Sequence, residues 1–270
     1  MTETLTNDNR LTGLEAVDEV FRRTAEEGRA AFMPYFTLGY PDYETSLDII
    51  QAMAEAGADG FEIGIPFSDP LADGPTIQRS SQVALENGIT VRKVLEGVRE
   101  LRERGVTQPM FMFSYLNPLI NYGTEQFVRD AKAAGADGFV IPDLPPEETA
   151  MFADTCDEEN LALIFFLAPT SNDKRIEVVA QAARGFIYVV SVTGVTGSRT
   201  ELPDDLTDFI GNVRTKTDQP LVLGFGISTP EQVKTLHGLV DGFIVGSELV
   251  RTAEKGVEAI RELATHLRQA

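Results

Sequence analysis

The hexapeptide Ala56-Gly-Ala-Asp-Gly-Phe61 returns as Ala134-Gly-Ala-Asp-Gly-Phe139, with shorter echoes at Arg184-Gly-Phe186 and Asp241-Gly-Phe243. Each copy closes an amphipathic stretch with a glycine suited to a left-handed C-cap and opens an apolar run through a Gly-Phe pair. Eight such runs occur, at Ala31–Thr37, Gly60–Ile63, Met110–Tyr115, Gly138–Ile141, Leu163–Leu167, Phe186–Val190, Leu221–Gly224 and Gly242–Val245. The four copies fall at the second, fourth, sixth and eighth. Between the runs lie stretches whose apolar residues recur at helical spacing, including Ser46–Ala56, Val91–Arg104, Glu125–Ala134, Lys174–Ala183, Pro230–Leu236 and Glu248–Leu267. Short strands alternating with helices predict parallel strands joined by right-handed crossovers. The count of eight predicts an α/β fold, a (β/α)8 TIM barrel, for which roughly 250 residues is a standard size. Leu14, Val17 and Phe21 predict an extra N-terminal helix covering the barrel's lower end, in a single domain over 11–270, with residues 1–10 a disordered tail.

Composition narrows the function classes. The 270 residues carry 42 Asp and Glu against 23 Lys and Arg, a net charge of −19. Such a surface repels nucleic acid and anionic membrane, and no basic cluster offsets it. Acidity with scarce lysine predicts a halophile-like protein from a salt-rich cytoplasm, where screening removes self-repulsion. No apolar run approaches the roughly 18 residues of a spanning helix, and MTETLTNDNR is not a signal peptide, so a soluble cytoplasmic protein is expected. The lone Cys156 excludes an intrachain disulfide and reads as a small core residue in a helix-like stretch, Glu147 to Glu159. Both histidines, His237 and His266, fall away from strand ends, so no metal site is expected.

In a barrel of this type the chemistry sits at the carboxyl ends of the strands. The richest of these ends is Glu62-Ile-Gly-Ile-Pro-Phe-Ser-Asp-Pro-Leu-Ala-Asp-Gly-Pro-Thr-Ile-Gln78. Its prolines stop both strand and helix, Asp73-Gly74 turns the chain, and a helix starts near Thr76 or Ile77. Glu62 reads either as an ion-paired structural carboxylate or as an acid/base group. Gly226 and Ser228 before one helix, and Gly246-Ser247 before the last, place amides and small residues for a phosphate after strands seven and eight. Without a histidine at the strand ends, acid/base work falls to carboxylates, with tyrosines as minor candidates.

The segment from Phe61 to Gln78 resembles the signature of the tryptophan synthase alpha chain family, and the resemblance runs from Tyr35 to Ser247. Supporting motifs are Pro34-Tyr-Phe-Thr-Leu-Gly39, Tyr115-Leu-Asn-Pro118, Ile141-Pro-Asp-Leu-Pro145, Ser191-Val-Thr-Gly-Val-Thr-Gly197 and Gly224-Phe-Gly-Ile-Ser228. The resemblance implies a lyase of tryptophan biosynthesis that cleaves indole-3-glycerol phosphate to indole and glyceraldehyde 3-phosphate, without a cofactor in this chain. It implies Glu62 as acid/base, Asp73 as the carboxylate that accepts the indole N–H, and Tyr188 as a positioning group. Tyr35, Phe113, Phe166, Phe225 and Ile244 then wall the substrate, Gly197, Gly226, Gly246 and Ser247 hold its phosphate, and Thr196 lies on a closing loop. Pro66, Phe67, Asp69, Asn117 and Asn121 match positions facing a pyridoxal-phosphate-dependent beta chain in an alpha2-beta2 heterotetramer. Two residues depart from the pattern: Val192 stands where some members have arginine, and Tyr35 replaces a phenylalanine found in others. A free-standing indole-releasing lyase and a catalytically silent activator of a beta chain are the competing readings, with another phosphate-binding barrel as the runner-up in fold.

Overall fold

The computed structural model describes residues 10–190, 204–224 and 226–270, without the side chains of 204 and 205. Eight strands close in sequence order into a barrel in which each strand is parallel to its neighbours. They are β1 (Ala31–Thr37), β2 (Phe61–Gly64), β3 (Met110–Phe113), β4 (Gly138–Val140), β5 (Ala162–Leu167), β6 (Ile187–Val190), β7 (Leu221–Gly224) and β8 (Gly242–Val245). All eight apolar runs form strands, trimmed or extended by a residue or two where the pairing ends. The helices are α1 (Leu14–Glu26), α2 (Tyr43–Glu55), α3 (Pro75–Glu86), α4 (Val91–Glu103), α5 (Leu116–Tyr122), α6 (Thr124–Ala134), α7 (Ala153–Glu158), α8 (Asp173–Ala182), α9 (Asp204–Arg214), α10 (Pro230–Lys234), α11 (Ser247–Ala253) and α12 (Val257–Gln269).

Two helical stretches differ from the sequence reading. The one over Glu248–Leu267 is two helices, because Gly256 at φ 95° turns the chain between α11 and α12. The one over Glu147–Glu159 is a 3-10 segment, Pro146–Met151, followed by α7, with Phe152 at φ −121° interrupting the helical backbone between them. Cys156 on α7 is buried, and its thiol is pushed up to about 12, chiefly by desolvation.

The repeated hexapeptide owes its aspartate to a clasp at the barrel's lower rim. Asp59 gives its N–H to the Phe32 carbonyl at 2.8 Å and accepts the Phe32 N–H on its carboxylate at 2.9 Å. Asp137 repeats both bonds with Met110, at 2.9 and 3.0 Å, and Asp241 with Leu221, at 2.9 and 2.6 Å. Each aspartate thus fixes the start of the strand before its own, and each also takes arginines: Arg23 and Arg29 on Asp59, Arg10 and Arg102 on Asp137, Arg214 on Asp241. Leaving Asp59 or Asp137, both buried, unpaired costs about 3–5 kcal/mol. The sixth-strand copy has Arg184 instead. Its N–H keeps the clasp to the Leu163 carbonyl at 3.2 Å, while its guanidinium donates to the carbonyls of Gln181, Ala182 and Ala183.

Helix α1 covers this end of the barrel as its pattern predicts. Phe21 meets Phe186 edge-on at 6.0 Å, and Phe186 meets Phe111 at 5.2 Å, so an aromatic column rises from α1 into the barrel. Arg10 and the Gly13 N–H both bond Asp137, which ties the segment before α1 to the same rim. The catalytic end is therefore the other one.

Candidate active site

Register settles which side chains share a face. In a parallel ladder, paired residues point the same way and alternate along each strand. Tyr35 pairs with Glu62, Glu62 with Phe111, and Phe113, two residues on, with Val140. Val140 pairs with Ile164, Phe166 with Tyr188, Tyr188 with Val222, Val222 with Gly242, and Ile244 with Met33. Followed around the closed sheet, Tyr35, Glu62, Phe113, Phe166, Tyr188 and Ile244 lie on one face, the face that carries the Phe111 column. Six residues named from the sequence thus converge inside the upper barrel.

Glu62 is 1% exposed, and its Oε1 has no hydrogen-bond partner. No salt bridge involves it among the described residues, so the ion-paired structural reading does not hold. Desolvation first, and the Asp73 charge second, push the carboxyl up to about 8. At neutral pH it is a carboxylic acid.

Asp73 stands on the loop between β2 and α3. Three prolines, Pro66, Pro70 and Pro75, keep that loop irregular, and Pro75 opens α3 at a position where no donor is needed. The Tyr115 hydroxyl accepts the Ala72 N–H at 2.9 Å and pins the loop to the end of β3. Burial pushes Asp73 up to about 6, and its interaction with the Tyr115 hydroxyl pulls it partly back. The two carboxyls therefore titrate apart, one as an acid and one as an anion near pH 7.

Aromatic rings line the space beside them. Tyr188 lies against Phe166 with ring centroids 4.7 Å apart, and Tyr35 meets Phe113 edge-on at 5.3 Å. Two glycines make room for the phenols: a Cβ on Gly64 would collide with the Tyr35 hydroxyl, and one on Gly224 with that of Tyr188. Both phenols are raised well above their usual range, primarily by burial, and remain protonated.

At the ends of β7 and β8, Gly226 takes φ 90°, while Gly246 and Ser247 are half-buried at the start of α11. The amides ahead of α10 are already engaged. Gln232 Oε1 accepts from Ser228 N at 2.8 Å, from Ser228 Oγ at 3.1 Å and from Thr229 N at 3.2 Å, as part of a capping box. Ser228 thus serves α10 in this structure, which leaves Gly226, Gly246 and Ser247 as the anion candidates here. Thr196, Gly197 and Phe225 lie outside the described residues, as does Val192.

Beside the Asp73 loop, a cleft of about 320 Å³ is lined by Phe67, Asp69, Leu71, Ala72, Tyr115, Asn117, Pro142 and Asp143. Phe67, Asp69 and Asn117 were read from the sequence as partner-facing. Asn121 joins them by donating to Asn117 at 3.0 Å, whereas Pro66 is buried. Sequence reading missed Leu71, which is 92% exposed, and Tyr115, whose place after an apolar strand was the available signal. No cluster of three or more His, Cys, Asp or Glu side chains able to hold a metal occurs among the described residues. No helix among them is long and apolar enough to cross a membrane.

Comparison with known proteins agrees in sequence and in structure. The profile of the family described as tryptophan synthase alpha chain matches residues 21–270. A tryptophan synthase alpha chain from Chloroflexus aggregans is 48% identical over 242 residues, covering 90% of this chain and 91% of that one. Among solved structures, a protein from Aquifex aeolicus VF5 superposes with a TM-score of 0.87 at 38% identity, covering 94% of this chain and 98% of its own. The open form of tryptophan synthase from M. tuberculosis gives 0.87 at 34% identity, over 94% and 97%.

Proposed function

This chain belongs to the tryptophan synthase alpha chain family, and we propose that Glu62 and Asp73 carry out its reaction, the retro-aldol cleavage of indole-3-glycerol phosphate. The observation that carries the assignment is a buried carboxyl at the barrel's mouth whose Oε1 has no hydrogen-bond partner, raised to about 8 beside a second carboxyl raised to about 6.

Neutral Glu62 gives its proton to C3 of the indole ring, which makes the ring an electron sink. Asp73, ionised, accepts the indole N–H and stabilises the positive charge that develops there. The Glu62 carboxylate then takes the proton of the glycerol hydroxyl as the carbon–carbon bond breaks and its electron pair returns to the ring. Indole and glyceraldehyde 3-phosphate result, and Glu62 is again protonated, so one carboxyl serves both steps without a net change. The wall of buried Tyr35, Phe113 and Ile244 with half-buried Phe166 takes the indole and its stem, with Phe225 assigned by resemblance. Tyr188, tilted against Phe166, orients the Glu62 side. Gly226, Gly246 and Ser247, with Gly197 and Thr196 from the loop after β6, hold and cover the phosphate. This half-reaction needs no cofactor in the chain.

The alpha chain works with a beta chain, and the cleft around Phe67, Asp69, Leu71 and Asn117 is the surface we assign to it, in an alpha2-beta2 assembly in the cytoplasm. Pyridoxal phosphate belongs to that partner. The test is indole release from indole-3-glycerol phosphate by the purified chain, with and without a beta chain. Glu62→Gln and Asp73→Asn should each fold and lose activity by orders of magnitude. Retention of more than about a tenth of wild-type activity by Glu62→Gln would remove its acid/base role.

A further inference from the structure

From the Tyr35 hydroxyl runs a chain of three hydroxyls that the cleavage chemistry does not use. The Tyr35 hydroxyl lies 3.1 Å from Thr37 Oγ1, which lies 2.7 Å from Ser80 Oγ, which donates to the Ile77 carbonyl at 2.9 Å. All three residues are buried, Thr37 and Ser80 fully. A carbonyl only accepts and each hydroxyl has one proton, so the direction of the chain is fixed from its far end. Ser80 donates to Ile77, Thr37 to Ser80, and Tyr35 to Thr37.

One end of the chain faces both carboxyls, and the other lies on the helix that follows the Asp73 loop. Tyr35 is the register partner of Glu62, and its hydroxyl sits over Gly64, where the chain leaves β2 for the Asp73 loop. Ser80 belongs to α3, which begins at Pro75, directly beyond Asp73-Gly74. With the Tyr115 hydroxyl on the Ala72 N–H, the loop is fixed at its departure, near its tip and at its return. We propose that the Tyr35–Thr37–Ser80 chain is a positioning device that joins β1 to α3 and so holds Asp73 opposite Glu62. Thr37 and Ser80 are then positioning residues for the reaction, and the Tyr35 hydroxyl has a task distinct from the packing of its ring. This rests on the cleavage assignment above for its catalytic consequence, but the geometry it claims is independent of turnover.

Two variants break the chain at opposite ends with little change in shape: Tyr35→Phe keeps the edge-on contact with Phe113, and Ser80→Ala removes one oxygen. A misplacement on the order of 1 Å costs up to about 100-fold in rate, so each should lower kcat about tenfold and leave KM within about twofold. The double variant should be no worse than the more damaging single one, because one broken link already severs the chain. Thr37→Ser, which keeps the hydroxyl, should stay near wild type, and Thr37→Val should match the broken-chain variants.

A second readout is carboxyl titration by 13C NMR, for which no turnover is required. The titratable groups facing the pair are Tyr35 from β1, Tyr188 from β6 and Tyr115 after β3, the last also facing Asp143. The three phenols are all raised, chiefly by burial, and stay protonated near neutral pH. Loosening the chain should let both Glu62 and Asp73 titrate lower than in the wild type, as Asp73 moves away and water enters. Unchanged titration and kcat in both end variants would overturn the proposal, as would additive losses or a Thr37→Ser variant as damaged as Thr37→Val. If Ser80→Ala fails to fold, Tyr35→Phe with the Thr37 pair decides. A wild-type chain that releases no indole would defeat the functional reading alone, and the titration would still decide this one.

Discussion

Replacing Glu62 by Gln should make the protein more stable while abolishing its chemistry, and the gain should depend on pH in a calculable way. The folded carboxyl is raised from 4.5 to about 8, mainly by desolvation and then by Asp73. Because the folded value lies above the unfolded one, the native state holds an extra proton between those limits, and stability falls as pH rises across them. Below 4.5 both states are protonated and nothing is lost. At pH 7 the unfolded carboxyl is about 2.5 units past its midpoint while the folded one stays neutral, a cost of about 3 kcal/mol at about 1.4 kcal/mol per unit. Above pH 8 the full difference applies, about 5 kcal/mol. Glutamine has nearly the same shape, remains neutral, and removes this linkage, while other titrations, including that of Asp73, largely cancel in the comparison. Urea unfolding of both proteins at pH 5, 7 and 8.5 should show the variant ahead by about 1, 3 and 4–5 kcal/mol. At roughly 2–4 °C per kcal/mol for a chain of this size, the thermal midpoint at pH 7 should rise by about 6–12 °C. A stability difference that does not change with pH, or a variant less stable than the wild type at pH 8.5, would refute the buried acid.

Three further outcomes follow from the same geometry and charge. Cleavage by the isolated chain should rise as pH passes about 6, where Asp73 ionises, and fall above about 8, where Glu62 loses its proton; Asp73→Asn should lose the acidic limb, and a flat wild-type profile from pH 5 to 9 would contradict the assignment. Leu71→Asp, at the most exposed large apolar side chain among the described residues, should weaken beta-chain binding at least tenfold by calorimetry and leave unstimulated cleavage unchanged, whereas unaltered affinity would place the partner elsewhere. With a net charge of −19, the thermal midpoint should climb between about 0.1 and 2 M KCl as the Debye length shrinks from ~10 Å to a few Å; a variant with several surface Asp or Glu changed to Gln should gain less, and an equal gain would assign the effect to salting-out.

Legibility in the sequence followed the range of the interaction involved. Strands and most helices were readable because their signal is local: a period, a glycine ending a helix, a Gly-Phe opening a strand. The convergence of Tyr35, Glu62, Phe113, Phe166, Tyr188 and Ile244 was readable only through the barrel, since it depends on register around eight strands. Closure of the barrel then fixes which alternate residues face inward. Long-range polar partners were not readable at all. Nothing in the hexapeptide says that its aspartate clasps the preceding strand, because the same Asp-Gly would serve an ordinary turn. Near Ser228 the capping-box spacing Thr229-x-x-Gln232 is legible, but not that the same Gln232 oxygen also takes the Ser228 amide. Ser80 is the sharpest case, since a serine inside a helix usually bonds its own preceding carbonyl, and Ser80 does bond Ile77. That local bond commits its proton and leaves its oxygen free to accept from Thr37. A residue that reads as purely helical thereby terminates a chain beginning at the substrate wall, and its meaning lies in the strand and the helix, β1 and α3, that the fold brings together.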